Sequence, residues 1–239
     1  MGKIILSASG KGGVGKSIFT LNLGATLAER GLKIVMIDMN VGLRNLDIYL
    51  GLENKVIYDV ADVLSGVCTP KKAMVRDKRF PYLYIIPAPQ KKEKFTASPE
   101  DMASFYEHLR ENFDYVLVDG PAGVNSALCL AAAGADAAVI VMTMEHVSMR
   151  DADMADQILR ESGVLTRVCV VNKVNPDLLR SGAMPSFEDV SSMLRMPLLG
   201  IIQYDENISI AANCGVPIVR QKSYIEENFN RIADRLLCY

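Results

Sequence analysis

The sequence is poor in the residues that build metal and disulfide frameworks. Its five cysteines, Cys68, Cys129, Cys169, Cys214 and Cys238, lie far apart with no C-x-x-C pair, and His108 and His146 are its two histidines. That spacing excludes a zinc constellation and fits a reducing cytoplasm. An excess of charge of one sign is also missing: 26 Lys and Arg against 28 Asp and Glu leave a net −2. Composition therefore gives no reason to expect nucleic acid as the main partner. The local basic clusters, Lys71, Lys72, Arg76, Lys78 and Arg79, then Lys91, Lys92 and Lys94, read as solvated faces. No apolar run suits a membrane span, because the most apolar stretch, Ala127 to Met142, is broken by Gly134 and Asp136 and predicts helix, turn and buried strand. The N-terminus enters a strand without the basic segment and apolar core of an export signal. Repeats, low-complexity tracts and linkers are absent. With 239 residues, half of them hydrophobic, one α/β domain over 1–239 is expected.

What is present is a phosphate cradle at Gly10-Lys11-Gly12-Gly13-Val14-Gly15-Lys16-Ser17. Ile4-Ile5-Leu6 before it suits a buried strand, and Phe19, Leu23, Leu27 and Ala28 after it fall at helical spacing. Glycines let backbone N–H groups turn inward without Cβ atoms in the way, and the helix start adds positive potential. Lys16 would neutralise charge on the β- and γ-phosphates of a triphosphate, and the Ser17 hydroxyl is placed to enter a Mg2+ shell. A chance glycine-rich turn is the competing reading, and the strand and helix flanks weigh against it.

Two later strands end in carboxylates. Lys33 to Asp38 is an apolar run closing on Asp38, and Tyr115 to Asp119 closes on Asp119 before Gly120-Pro121-Ala122-Gly123. Ligands of open parallel sheets bind at the strands' carboxyl ends, so both aspartates should meet the glycine loop. Asp119 could instead cap the next helix, but paired with the loop it reads as a magnesium-holding aspartate, followed by a glycine able to sense the γ-phosphate through its N–H. Met39 to Asp47 reads as a polar loop, Asp59 to Leu64 as a short helix and Leu83 to Ile86 as a third strand. Ser98-Pro99-Glu100-Asp101 and Ser186-Phe187-Glu188-Asp189 are helix starts. Further strands are expected over 136–143, 167–172 and 198–202, with a helix over 148–161. A closing helix puts Ile225, Phe229, Ile232 and Leu236 on one face. The alternation predicts a doubly wound, mostly parallel sheet flanked by helices, the P-loop NTPase architecture.

Lys11 directly after the first glycine, together with Lys16, resembles the deviant Walker A motif of the MinD/ParA ATPase family. Gly42-Leu43-Arg44-Asn45-Leu46-Asp47, Asp119-Gly120-Pro121-Ala122-Gly123 and Val147-Ser148-Met149-Arg150-Asp151-Ala152-Asp153 are similar to its MinD branch, and the likeness runs from Lys3 to Leu237. The resemblance implies an ATP-dependent homodimer switch for division-site placement, in which each Lys11 reaches the phosphates of the other subunit. It implies catalytic roles for Lys11, Lys16, Asp38 and position 40, and metal roles for Ser17, Asp38 and Asp119. The nucleotide would be held by residues 10–18, Ile18 included, with Gly123, with Asn172 reading adenine and with Asp205 near the base. Partners implied are a MinC-like inhibitor and a MinE-like activator, in the cytoplasm or on the inner face of the cell membrane.

Three departures stand out. Asn40 replaces the family's usual aspartate, so hydrolysis is expected to be slow but not zero. Gln203-Tyr204-Asp205 stands where a proline-led loop usually borders adenine. The sequence ends at Leu237-Cys238-Tyr239, where family chains continue into a basic amphipathic helix. The alternatives are a flagellar-number regulator, a ParA-like partition ATPase and a non-hydrolysing ATP-bound scaffold.

Overall fold

The computed structural model describes every residue of the chain except Lys92, Lys94 and Lys222. Of the second basic cluster only Lys91 is therefore described, and it is exposed. In chain order the elements are β1 (Lys3–Ser9), α1 (Lys16–Glu29), β2 (Ile34–Asp38), α2 (Leu46–Tyr49), α3 (Val60–Leu64), α4 (Pro70–Ala73), β3 (Val75–Arg76), β4 (Leu83–Ile86), α5 (Pro99–Arg110) and β5 (Tyr115–Ala122). They continue with α6 (Ser126–Ala132), β6 (Ala137–Met142), α7 (His146–Glu161), β7 (Thr166–Val174), α8 (Pro176–Arg180), α9 (Phe187–Met193), β8 (Leu198–Gln203), α10 (Glu206–Asn213) and α11 (Tyr224–Leu237).

The strands form one eight-stranded sheet in the order β3-β4-β2-β5-β1-β6-β7-β8. Among the described residues β3 alone runs antiparallel, on the edge beside β4. Helices cover both faces, which is why the strands read as continuous apolar runs. On one face Ile4, Leu6, Val35, Ile37, Val116 and Val118 pack with Met102 and Tyr106 of α5 and Met149 and Leu159 of α7. On the other, Ile5, Ile34, Met36, Tyr115 and Leu117 pack with Phe19 and Leu23 of α1 and Phe229 and Ile232 of α11.

This alternation places the site. Asp38 shares parity with Ile34 and Met36, and Asp119 with Tyr115 and Leu117, so both carboxylates emerge on the α1 face. Register makes them neighbours, because Asp38 pairs with Asp119 across β2 and β5. β1 lies between β5 and β6 with Ser7 opposite Asp119, and the loop that follows it stands over the same sheet edge.

Three sequence expectations need correction. The loop expected over 39–47 is shorter, because α2 starts at Leu46 and takes in a buried Asp47 that pairs with Arg44 at 2.5 Å. Leu83 to Ile86 is the fourth strand, since the two-residue β3 precedes it. Arg79 is not a solvated charge: it donates to Asp77 Oδ2 at 2.7 Å and to the Leu50 and Gly215 carbonyls at 2.6 Å each, stitching three segments together.

Candidate active site

The loop between β1 and α1 wraps one end of a cavity of about 300 Å³. Among the described residues, no backbone N–H from Gly12 to Ile18 finds an acceptor. Such a run of free donors at a helix start is an anion-binding arrangement. At Gly12 and Gly13 an added Cβ would meet nothing within 4 Å, so the space over the loop is open. Gly10 has a different reason to be glycine, since a Cβ there would lie 2.1 Å from the Asp151 carbonyl oxygen of α7. Ser9 Oγ, on the cavity wall, is buried and without a partner among the described residues. Open glycines, free N–H groups, an unpartnered hydroxyl and a lysine form a donor set that fits a nucleotide's phosphates.

Beneath the loop the two carboxylates divide the work. Asp119 is fully buried and accepts from Lys16 Nζ at 2.7 Å, Ser17 Oγ at 2.6 Å, Thr20 Oγ1 at 3.1 Å and Asn40 Nδ2 at 2.6 Å. Burial pushes its carboxyl above the ordinary range, the Lys16 ammonium pulls it down, and Asp38 pushes it up again. Asp38 faces inward instead. Its Oδ1 accepts from the Asn40 N–H and Nδ2, both at 2.8 Å, and its Oδ2 from the N–H groups of Asn45 at 2.7 Å and Leu46 at 3.1 Å. Asp38 therefore holds the start of α2, and a metal ligated by it would displace one of these bonds. Asn40 Oδ1 accepts from Lys16 Nζ at 3.4 Å. Tyr49 closes this side, its hydroxyl pushed up first by burial, then by Asp119 and Asp38.

Other expected residues are spread around the cavity. Lys11 folds back on its own chain and pairs with Glu145 at 2.6 Å. Asn172 lines the cavity but directs Nδ2 to the Val14 carbonyl at 2.8 Å. Asp205 is on the wall, capping α10 through the Asn207 N–H at 2.8 Å and accepting from Tyr224 Oη at 2.5 Å. Gly123 stands apart, because its N–H donates to the Ser9 carbonyl at 3.0 Å and is not free for a phosphate. Thr20, Tyr49, Lys173 and Phe229 are members that the sequence reading missed. Thr20 was within reach of helical spacing, lying one turn after Ser17. Among the described residues no cluster of three or more His, Cys, Asp or Glu side chains could hold a metal. Ser17 with Asp119 is the pair whose oxygens could hold Mg2+ beside a phosphate.

A family model described as "CobQ/CobB/MinD/ParA nucleotide binding domain" matches residues 5–218. The septum site-determining protein MinD of Synechocystis is 42% identical over 238 residues, covering 99% of this chain and 90% of that protein. A solved MinC:MinD cell division complex from Aquifex aeolicus is similar at a TM-score of 0.92 and 37% identity, over 99% of this chain and 96% of that one. MinD of Pyrococcus horikoshii, solved with Mg-ADP, is similar at a TM-score of 0.88 and 27% identity, over 99% and 96%.

Proposed function

The chain belongs to the CobQ/CobB/MinD/ParA nucleotide-binding family, and from that membership we propose that it is a MinD-type ATPase, an ATP-dependent dimerising switch in division-site placement. The observation that carries the reading is the run of free N–H groups from Gly12 to Ile18 above the Lys16, Ser17 and Asp119 cluster. MgATP supplies the phosphoryl group, and its metal ion neutralises charge on the phosphate oxygens. The chain's own residues do the rest. The loop and Lys16 bind the phosphates, while Ser17 and Asp119 hold the ion. Asp38 positions Asn40 and α2, and Asn40 orients the attacking water. Lys11 serves the other subunit, and leaving Glu145 costs about 1 kcal/mol or less because that pair is exposed. Asn172 and Asp205 border the base.

The expected partners are a second copy of the chain, a MinC-type inhibitor, as in the Aquifex complex, and a MinE-type activator. All of 1–239 acts as one ATPase domain. The proposed place of action is the inner face of the cell membrane, as a peripheral protein; no described helix is long and apolar enough to cross a membrane. Pelleting with anionic vesicles in MgATP but not MgADP is the result expected of it.

Light scattering after gel filtration tests the switch. We expect a dimer in MgATP and a monomer in MgADP, with Lys11→Ala monomeric in both. A mass indifferent to nucleotide would overturn the proposal. The bridging of Asp38 and Asp119 by the Asn40 amide favours one second reading, a scaffold in which ATP is a structural ligand. A stable MgATP dimer that releases no phosphate would select it.

A further inference from the structure

Two successive residues at the carboxyl end of β7 hold the phosphate-binding loop from outside. Asn172 Nδ2 donates to the Val14 carbonyl at 2.8 Å, and Lys173 Nζ donates to the Gly13 carbonyl at 2.7 Å. In a trans peptide the carbonyl and the next residue's N–H point in opposite directions. Turning the Gly13 carbonyl toward Lys173 therefore turns the Val14 N–H away from it. Turning the Val14 carbonyl toward Asn172 does the same for the Gly15 N–H. Both N–H groups belong to the free run at the cavity.

The backbone is bent to make this possible. Neighbouring side chains of a regular strand point to opposite faces, so Asn172 and Lys173 would not both reach the loop. Lys173 has φ 57°, a left-handed conformation that residues with a Cβ rarely adopt. The pairing of β7 with β8 shifts register between Val171 and Val174, so the two residues sit in a bulge, a device that re-aims side chains. The fit is close: a Cβ on Gly15, whose φ is 91°, would lie 2.4 Å from Asn172 Nδ2.

We propose that Lys173 is a positioning residue of the nucleotide site, acting with Asn172 to hold the loop's N–H groups in their phosphate-binding orientation before nucleotide arrives. The proposal rests on the nucleotide-switch reading. Because Lys173 acts through the loop, it serves ADP and ATP alike, both of which carry a β-phosphate there. Its contribution is uniform binding: removal should raise KM and leave kcat in place.

The test compares the parent with Lys173→Met, Lys173→Gly and Lys173→Arg. Dissociation constants for MgADP and MgATP are measured by titration calorimetry, with KM, kcat and the nucleotide-free Tm alongside. Met and Gly should each weaken both nucleotides by about five- to tenfold, a low figure for one hydrogen bond from a charged group because Lys173 is exposed. They should raise KM, with kcat within about twofold of the parent. Arg should restore binding. Glycine relieves the left-handed strain, so its nucleotide-free Tm should equal or exceed the parent's, which separates the lost bond from damage to the fold. Binding by Met and Gly within about twofold of the parent, or an Arg variant as weak as Met, overturns the proposal. A parent chain that binds neither nucleotide overturns the switch reading itself, which is a different result.

Discussion

Asn40 lies between two buried carboxylates, its amide donating to Asp38 Oδ1 at 2.8 Å and Asp119 Oδ2 at 2.6 Å. An aspartate there would remove both donors and add a third negative charge, with the Lys16 ammonium alone to offset them. Burial already pushes Asp119 above the ordinary carboxylate range. Asn40→Asp should therefore destabilise the nucleotide-free protein by about 2–4 kcal/mol, read as a Tm loss of roughly 5–15 °C at this chain length. In MgATP the same variant should turn over faster, because a carboxylate can take a proton from the attacking water where an amide can only orient it. Phosphate release assayed beside thermal unfolding checks both halves. Turnover that stays level or drops would place the attacking water away from position 40.

Two of the helices that the sequence announced carry the strongest local signal. α5 and α9 begin with the same reciprocal box: the Asp101 N–H donates to Ser98 Oγ at 3.2 Å and the Ser98 N–H to Asp101 at 2.9 Å, while Ser186 and Asp189 exchange bonds of 3.1 and 2.7 Å. The Ser98 and Ser186 donors hold Asp101 and Asp189 below the ordinary carboxylate range. A folded-state pKa below the unfolded one means that the added stability is complete above the unfolded value and is lost as pH falls through the folded one. Asp101→Asn and Asp189→Asn should thus lower Tm at neutral pH, and the gap to the parent should close as pH falls through the lowered folded-state values of the two carboxyls. Unfolding scans across that range would show parallel curves instead if the boxes add nothing. Elements without local signals escaped the sequence. β3 has two residues and exists because the β4 edge pairs with it, and α2 has four residues and starts where Asp38 accepts from Asn45 and Leu46. Runs that short carry no periodicity to read.

At the scale of the whole molecule, the half of the site carried by strand ends was legible. Asp38 and Asp119 follow from apolar runs closing on a carboxylate, and parallel register sets them side by side. The half carried by long-range closure was not. Phe229 arrives from α11 to stack on Phe19 of α1 with ring centroids 6.0 Å apart, and it also lines the cavity. Its place in the sequence signals only a buried helix face. α11 is tied to α1 again where Arg30 donates to Asp234 at 2.7 Å and to the Asn230 carbonyl at 2.8 Å. Nucleotide binding and the closing of the chain therefore share a wall. MgATP at about 100 times its dissociation constant should add about 2.7 kcal/mol, a Tm rise of roughly 5–10 °C at this length. Phe229→Ala should cost the nucleotide-free protein about 3–5 kcal/mol through the cavity it leaves. If the shared wall matters, the variant should also show a smaller Tm increment at the same MgATP concentration. A lowered baseline with the full increment intact would make α11 a core helix with no part in nucleotide binding.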